Sequence, residues 1–393
     1  MRHKRREDIV SLVIKEVKSK KELKKFITFP FSLYKKNRFW VPPLILDEVN
    51  TLTPGKNAAL EFCDASYWLA YDGKKPVGRI AGIINHRFIE QWESKQARFG
   101  WFDFIDDEKV SEALLKTVEE WAVQKGMDAI HGPLGFTDMD KEGVLVEGFE
   151  ELGTFATLYN HPYYASHLEK HGYVKDTDWV EYEIIVPEEP VEKLSRLSEI
   201  VLKKNRLTIY QPKNKKELVK KYGHELFSLI NDAYGHLYGF VTLTEQQINQ
   251  YINQYLGFLQ LDYISVIVDE EGRVAGAGIT MPSLSKAMQR CRGRLFPRGV
   301  FDVLKATKKV KLVDLYLVAV RRELQGRGVN AVLINTFLQN FKKLGIIKAE
   351  SNPELEDNAN VQGQWKFFSH RQHKRRRCYL KHMRHYGDPV EGA

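Results

Sequence analysis

Residues 313–341 constrain this chain more than any other stretch. Val313 to Val320 is an apolar, β-branched run of strand length, and Gly326-Arg327-Gly328 follows within a few residues. Val332, Leu333, Thr336, Phe337 and Phe341 then recur at helical spacing, so a helix with one buried face is predicted. A strand that feeds a glycine turn and opens a helix leaves backbone N–H groups unpaired at the positive end of the helix dipole, which suits an anion. Glycine lacks a Cβ, so a phosphate can approach that backbone closely. Taken alone, Gly-x-Gly also fits an ordinary strand-to-helix connection.

At 393 residues the chain has room for two domains, each with its own core. No apolar run approaches the roughly 18 residues of a membrane-spanning helix. The basic start, residues 2–6, is followed by an apolar run too short for a signal peptide. Cys63, Cys291 and Cys378 are far apart and lack metal-ligand spacing, so they read as reduced thiols of a cytoplasmic protein with no metal site. Lys and Arg number 60 against 51 Asp and Glu, a net +9 that favours anionic partners: CoA, nucleic acid or an anionic lipid surface. Residues 2–6 and the run His370 to Arg377 hold much of the excess.

The chain repeats itself. Tyr67 to Tyr71 is a predicted strand, Asp72-Gly73-Lys74-Lys75 a turn and Pro76 to Ile84 a second strand. The strand Trp101 to Ile105 then leads to a helix through Val110, Leu114, Leu115, Val118 and Trp121, ended by Gly126. In the second half, Tyr263 to Val268, the turn Asp269 to Gly272 and Arg273 to Thr280 follow the same order. An insertion from Pro282 to Lys311 comes next, then the strand, the glycine turn and a helix ended by Gly345. Two copies of one α/β unit are therefore predicted, each a mixed twisted sheet flanked by helices, with the boundary near Pro187–Pro190 and domains at 1–190 and 191–393.

Gln325-x-x-Gly328-x-Asn330 resembles the acyl-CoA pyrophosphate loop of the GNAT acyltransferase superfamily, whose last position is usually a smaller residue. Residues 220–381 look like a complete GNAT domain and residues 60–186 like a degenerate one. The whole resembles tandem-GNAT proteins, in particular a bacterial group similar to the GNAT-type N-acyltransferases of sphingolipid synthesis. The matching residues in the first half are Gly132 to Phe136, Gly148-Phe149 and Tyr159 to Tyr164. In the second they are Asn231 to Tyr234, Gly239-Phe240, the glycine loop, Leu355 to Asn358 and Lys374 to Tyr379.

The resemblance implies acyl-CoA or acetyl-CoA as co-substrate and an amine as acceptor. Leu317, Val318 and Val320 would lie on the strand that binds pantetheine, with the Val318 N–H facing the thioester oxygen. Gln325, Gly326, Arg327, Gly328, Val329 and Asn330 would cradle the pyrophosphate, and Asn358 would lie along the CoA arm. Seven residues on, where the family often has a tyrosine that protonates the leaving thiolate, this chain has Trp365, which leaves Tyr379 or water as the acid. Glu350, Asp232 and His236 are the candidate bases. Where the second copy has its glycine loop, the first has Asp103 to Glu108, whose carboxylates repel a diphosphate. Only the second copy is expected to hold CoA, and the first becomes a structural or acceptor-binding partner.

The insertion mixes Met288, Leu295, Phe296, Val300, Phe301 and Leu304 with Lys286, Arg290, Arg292, Arg294 and Arg298. That pattern fits contact with the inner face of an anionic membrane and a long-chain lipid amine as acceptor, as in ceramide-type synthesis. It equally fits a helix packed on the first domain. Two other readings are a CoA-binding protein without turnover and a nucleic-acid-binding protein using His370 to Arg377. Against the latter, Arg375 to Tyr379 alternates into a predicted last strand, which commits half of those side chains to the fold.

Overall fold

The computed structural model describes residues 12–255, 260–308 and 310–383; the basic cluster at 2–6 lies outside them. In the first half the strands are β1 (Leu12–Glu16), β2 (Cys63–Asp72), β3 (Lys75–Asn85), β4 (Gln96–Phe104), β5 (Ala129–Gly132), β6 (Val144–Glu147) and β7 (Val174–Ile185). In the second they are β8 (Thr208–Ile209), β9 (Ile264–Val268), β10 (Val274–Pro282), β11 (Leu312–Val320), β12 (Lys348–Ser351), β13 (Glu354–Leu355) and β14 (His370–His382). They form one mixed sheet in the order β1-β2-β3-β4-β5-β14-β7-β12-β11-β10-β9-β8, with β6 on β14 and β13 on β7.

The predicted repeat is visible in this order. In each half an antiparallel hairpin and a third strand precede a parallel neighbour: β2-β3-β4 then β5, and β9-β10-β11 then β12. Gly73 and Gly272, at φ +57° and +78°, close the two hairpins in a backbone region that side chains disfavour. Each half then lays a helix on its middle strand, at glycines that admit it. A Cβ on Gly78 or Gly82 would come within 2.7 Å of Leu114 or Val118 on the helix Glu108–Gln124. One on Gly278 would come within 2.7 Å of Phe337 on the helix Val329–Leu344. Leu114, Leu115, Val118, Val332, Leu333 and Phe337 are buried there, each contributing about 1.5–3 kcal/mol.

The halves exchange their final strands. β14, from the second half, lies between β5 and β7, while β7, from the first, lies between β14 and β12. The predicted basic strand is present, but its cations are committed to the fold. Lys374 and Arg376 are buried against Glu350 and Glu181. Arg375 reaches Asp178 at 3.1 Å and Glu356 at 2.8 Å, Arg377 reaches Asp178 at 2.8 Å, and Arg371 reaches Glu151 at 2.8 Å.

The insertion forms two short helices, Ser285–Cys291 and Val300–Ala306, that pack on the first half. Met288 and Val303 join Val41 and Leu44 in one buried cluster, and Gln289 donates to the Arg38 and Trp40 carbonyls at 2.8 and 3.0 Å. Their outer face does the opposite: Phe296 is 81% exposed and Phe301 73%.

Candidate active site

β12 pairs with β11 only as far as Leu315↔Ser351. The chain then leaves the sheet, with the Asn352 amide donating to the Leu315 carbonyl at 3.1 Å and its side chain to the Tyr316 carbonyl at 2.9 Å. From Leu317 onward β11 has no strand neighbour on that side, so a groove opens there. Leu317 and Val318 form its wall, while Val320 is buried in the core behind it.

The glycine loop follows β11 and leads to Asn330, which borders the groove. Gly326 and Gly328 have φ of +72° and +86°, and Gly328 caps the helix Val329–Leu344. The amides of Gly326, Gly328, Val329 and Asn330 donate to no described carbonyl. Nothing lies within 4 Å of a Cβ placed on Gly326, whereas one on Gly328 would meet Val201 at 2.8 Å. Gln325 and Arg327 are exposed, and Gln325 steadies the loop by donating to the Val320 carbonyl at 3.0 Å. Free amides, open space and a helix start are what a pyrophosphate requires. Asn330 and Asn358 also border the groove, and Asn358 caps its short helix by accepting from the Val361 amide.

Trp365 is buried, and its indole donates to both oxygens of Glu354 at 3.0 and 3.2 Å. Glu354 borders the same groove. Burial pushes its carboxyl up to about 7, against hydrogen bonds from Trp365 and Ser351 that hold it down. Sequence reasoning missed Glu354. The available signal was Trp365 at a position that called for a proton donor.

The groove continues into a cavity of about 670 Å³ that crosses to the first half. Its walls are mainly apolar, including Phe337, Phe341, Leu44 and Met288, but one end is acidic: Asp138, Asp140 and Glu142 face it from residues 137–142. These also escaped the sequence reading, because an acidic loop without periodicity looks like a turn. Burial pushes Asp138 up to about 7 and Asp140 to about 6.

The candidate acids and bases read from the sequence are scattered. Glu350 points away from the cavity into the buried cluster with Lys374, Glu181 and His373. Asp232 lies at the surface beside Arg322, whose guanidinium is 3.6 Å away, and His236 is also exposed. Tyr379 is buried in the first-half core, with its hydroxyl donating to Glu169 at 3.1 Å. For Tyr379, and for Glu350 through its partner Lys374, the cause is the strand exchange, which carries β14 into the other half's sheet.

No family model matches the chain. Protein YghO of Escherichia coli (strain K12) is 28% identical over 374 residues, covering 93% of this chain and 94% of that protein. A bacterial ceramide synthase of Caulobacter vibrioides (strain NA1000 / CB15N) is 26% identical over 320 residues, covering 79% and 80%. Among solved structures, a tandem GNAT protein from the clavulanic acid biosynthesis pathway superposes with a TM-score of 0.54 at 12% identity, over 94% of this chain and 98% of that one.

Proposed function

From a chain that has the tandem GNAT fold, we propose an acyltransferase that moves an acyl group from a CoA thioester to an amine. The observation that carries this is the open edge of β11, which borders the shared cavity and is followed by the free amides of the glycine loop. The 1–190 unit supplies the far wall and the 191–393 unit holds CoA on Leu317, Val318, Gln325 to Asn330 and Asn358. The amine nitrogen attacks the thioester carbonyl carbon; a C–N bond forms, the C–S bond breaks, nitrogen loses a proton and sulfur gains one. A backbone N–H of β11 stabilises the oxyanion. Glu354, ionising near neutral pH beside the groove, takes the nitrogen's proton and is suited to return it to sulfur.

A lipid amine is the acceptor that the surroundings favour. The cavity is apolar over most of its wall, and the outer face of the insertion exposes Phe296, Phe301 and Leu304. Residues 283–311 carry nine Lys and Arg against one acid, Asp302, which pairs with Arg290 at 2.9 Å. Exposed aromatic and basic side chains together suit an anionic bilayer surface, and the Caulobacter relative is a ceramide synthase. Among the described residues no helix is long and apolar enough to cross a membrane. The nucleic-acid reading loses its support, because the run 370–377 is largely ion-paired within the sheet.

Incubation with acetyl-CoA or palmitoyl-CoA and a series of short and long amines, read as release of free CoA thiol, tests the proposal. Amine-dependent thiol release is the expected result. Tight CoA binding without release for any amine would instead identify a binding protein.

A further inference from the structure

We propose that residues 137–142 of the first half form the seat for the acceptor's ammonium group, with Asp138 and Glu142 as its counter-ions. The inference rests on the acyl-transfer reading for the word acceptor, but the site itself stands on three features of the cavity end.

First, Asp138 and Glu142 border the cavity, and neither makes a hydrogen bond or ion pair with a described residue. Asp140 between them is differently placed. Its Oδ2 accepts from the Phe136 and Thr137 amides at 2.8 and 3.1 Å, which fixes the loop. A Cβ on Gly135 would fall 2.2 Å from that of Asp140, so the turn is closely packed.

Second, no nearby cation pairs with Asp138 or Glu142, although Arg98 lies close enough to draw both carboxyls down. Arg79 pairs with Asp103 at 2.7 Å, and Arg98 donates to the carbonyls of Gly135 and Gly239 at 3.2 and 2.9 Å. Arg376 is held by Glu181 and the Leu158 carbonyl. Lys141 lies over the Phe155 ring at 5.6 Å and forms no ion pair. Asp47 and Glu48 add further acid to this end, Glu48 accepting from the Trp101 indole at 2.7 Å.

Third, an unpaired carboxyl enclosed by protein is unfavourable, and here that condition raises Asp138 to about 7 and Glu142 well above its usual range. An ammonium between the two would restore both charges. The remainder of the cavity is apolar, so the ligand class is a primary ammonium carrying a hydrocarbon tail.

Calorimetry of the full chain with n-decylamine and with 1-decanol, equal in length and different in charge, tests the seat. Wild type is expected to bind the amine at least about ten-fold more tightly than the alcohol, as for a charge-assisted contact in an enclosed site. Asp138→Asn and Glu142→Gln should each reduce that preference to within about two-fold. Both should also keep or raise the thermal midpoint of the ligand-free protein, because each removes an unpaired, half-buried acid. Equal binding of amine and alcohol to wild type would overturn the proposal, as would variants that keep the preference or lose stability. CoA titrated in parallel reports on the donor groove alone, so failure of the acyl-transfer reading leaves a separate signature.

Discussion

Both halves carry the same parallel pair beside a hairpin, yet they treat the space at its end in opposite ways. In the second half β11 and β12 part after Leu315, and the gap remains open as the groove. In the first half β4 and β5 pair only as far as Arg98↔His131, but the following chain folds back into the gap. The Leu134 amide donates to the Phe99 carbonyl at 2.8 Å, and a Cβ on Gly100 would meet the Leu134 carbonyl at 2.4 Å. Asp107 caps the helix where the other copy has its glycine loop, satisfying the Lys109 amide at 2.9 Å. Duplication thus leaves the gap open in one copy, while in the other the filling segment carries acids to the shared cavity.

Changes at matched positions should break this comparison unequally. The largest effect is expected for Gly328→Glu, which puts a carboxylate and a strained residue where the proposed function seats the pyrophosphate. Calorimetric affinity for CoA should fall at least about 100-fold. Gly326→Glu, with open space around it, should produce a similar loss while the protein stays folded. Next, Glu354→Gln should lower kcat about 100-fold or more with CoA affinity nearly unchanged. A base with its carboxyl near 7 is active when deprotonated, so wild-type kcat/KM should rise with pH through about 7, and the variant should lack that limb. Gly100→Val in the filled gap should cost roughly 1–3 kcal/mol in denaturant unfolding, yet leave CoA binding unaltered. The smallest change is expected for Phe296→Ser with Phe301→Ser. Flotation with anionic liposomes should decline several-fold, with turnover of a short soluble amine unchanged.

The hairpins, the glycine loop and the helix faces were legible in the sequence because they are local. Their signals are alternation, a turn glycine such as Gly73 or Gly272, and the spacing of Val332, Leu333 and Phe337. The insertion's two faces were also legible as a choice, and the structure realises the packing on the first half with Met288 and Val303 inside and Phe296 and Phe301 outside. What escaped is long-range. Nothing local states that the strand holding Lys374 and Arg376 pairs with β5 and β7, so Glu350 looked free to act as a base and Tyr379 as an acid. Glu354 next to Trp365, and Asp138 next to a cavity formed by both halves, become conspicuous only when distant segments meet.

The crossing of β7 and β14 has a consequence for biosynthesis. A domain emerging from the ribosome ordinarily folds as soon as it is complete. Here the edge of β5 stays uncovered until His370–His382 has been made, some 240 residues later. Through most of translation the nascent chain presents an unpaired strand edge, a template for unwanted association. Chaperone demand, and the failure of either half when expressed by itself, should follow from that order of assembly.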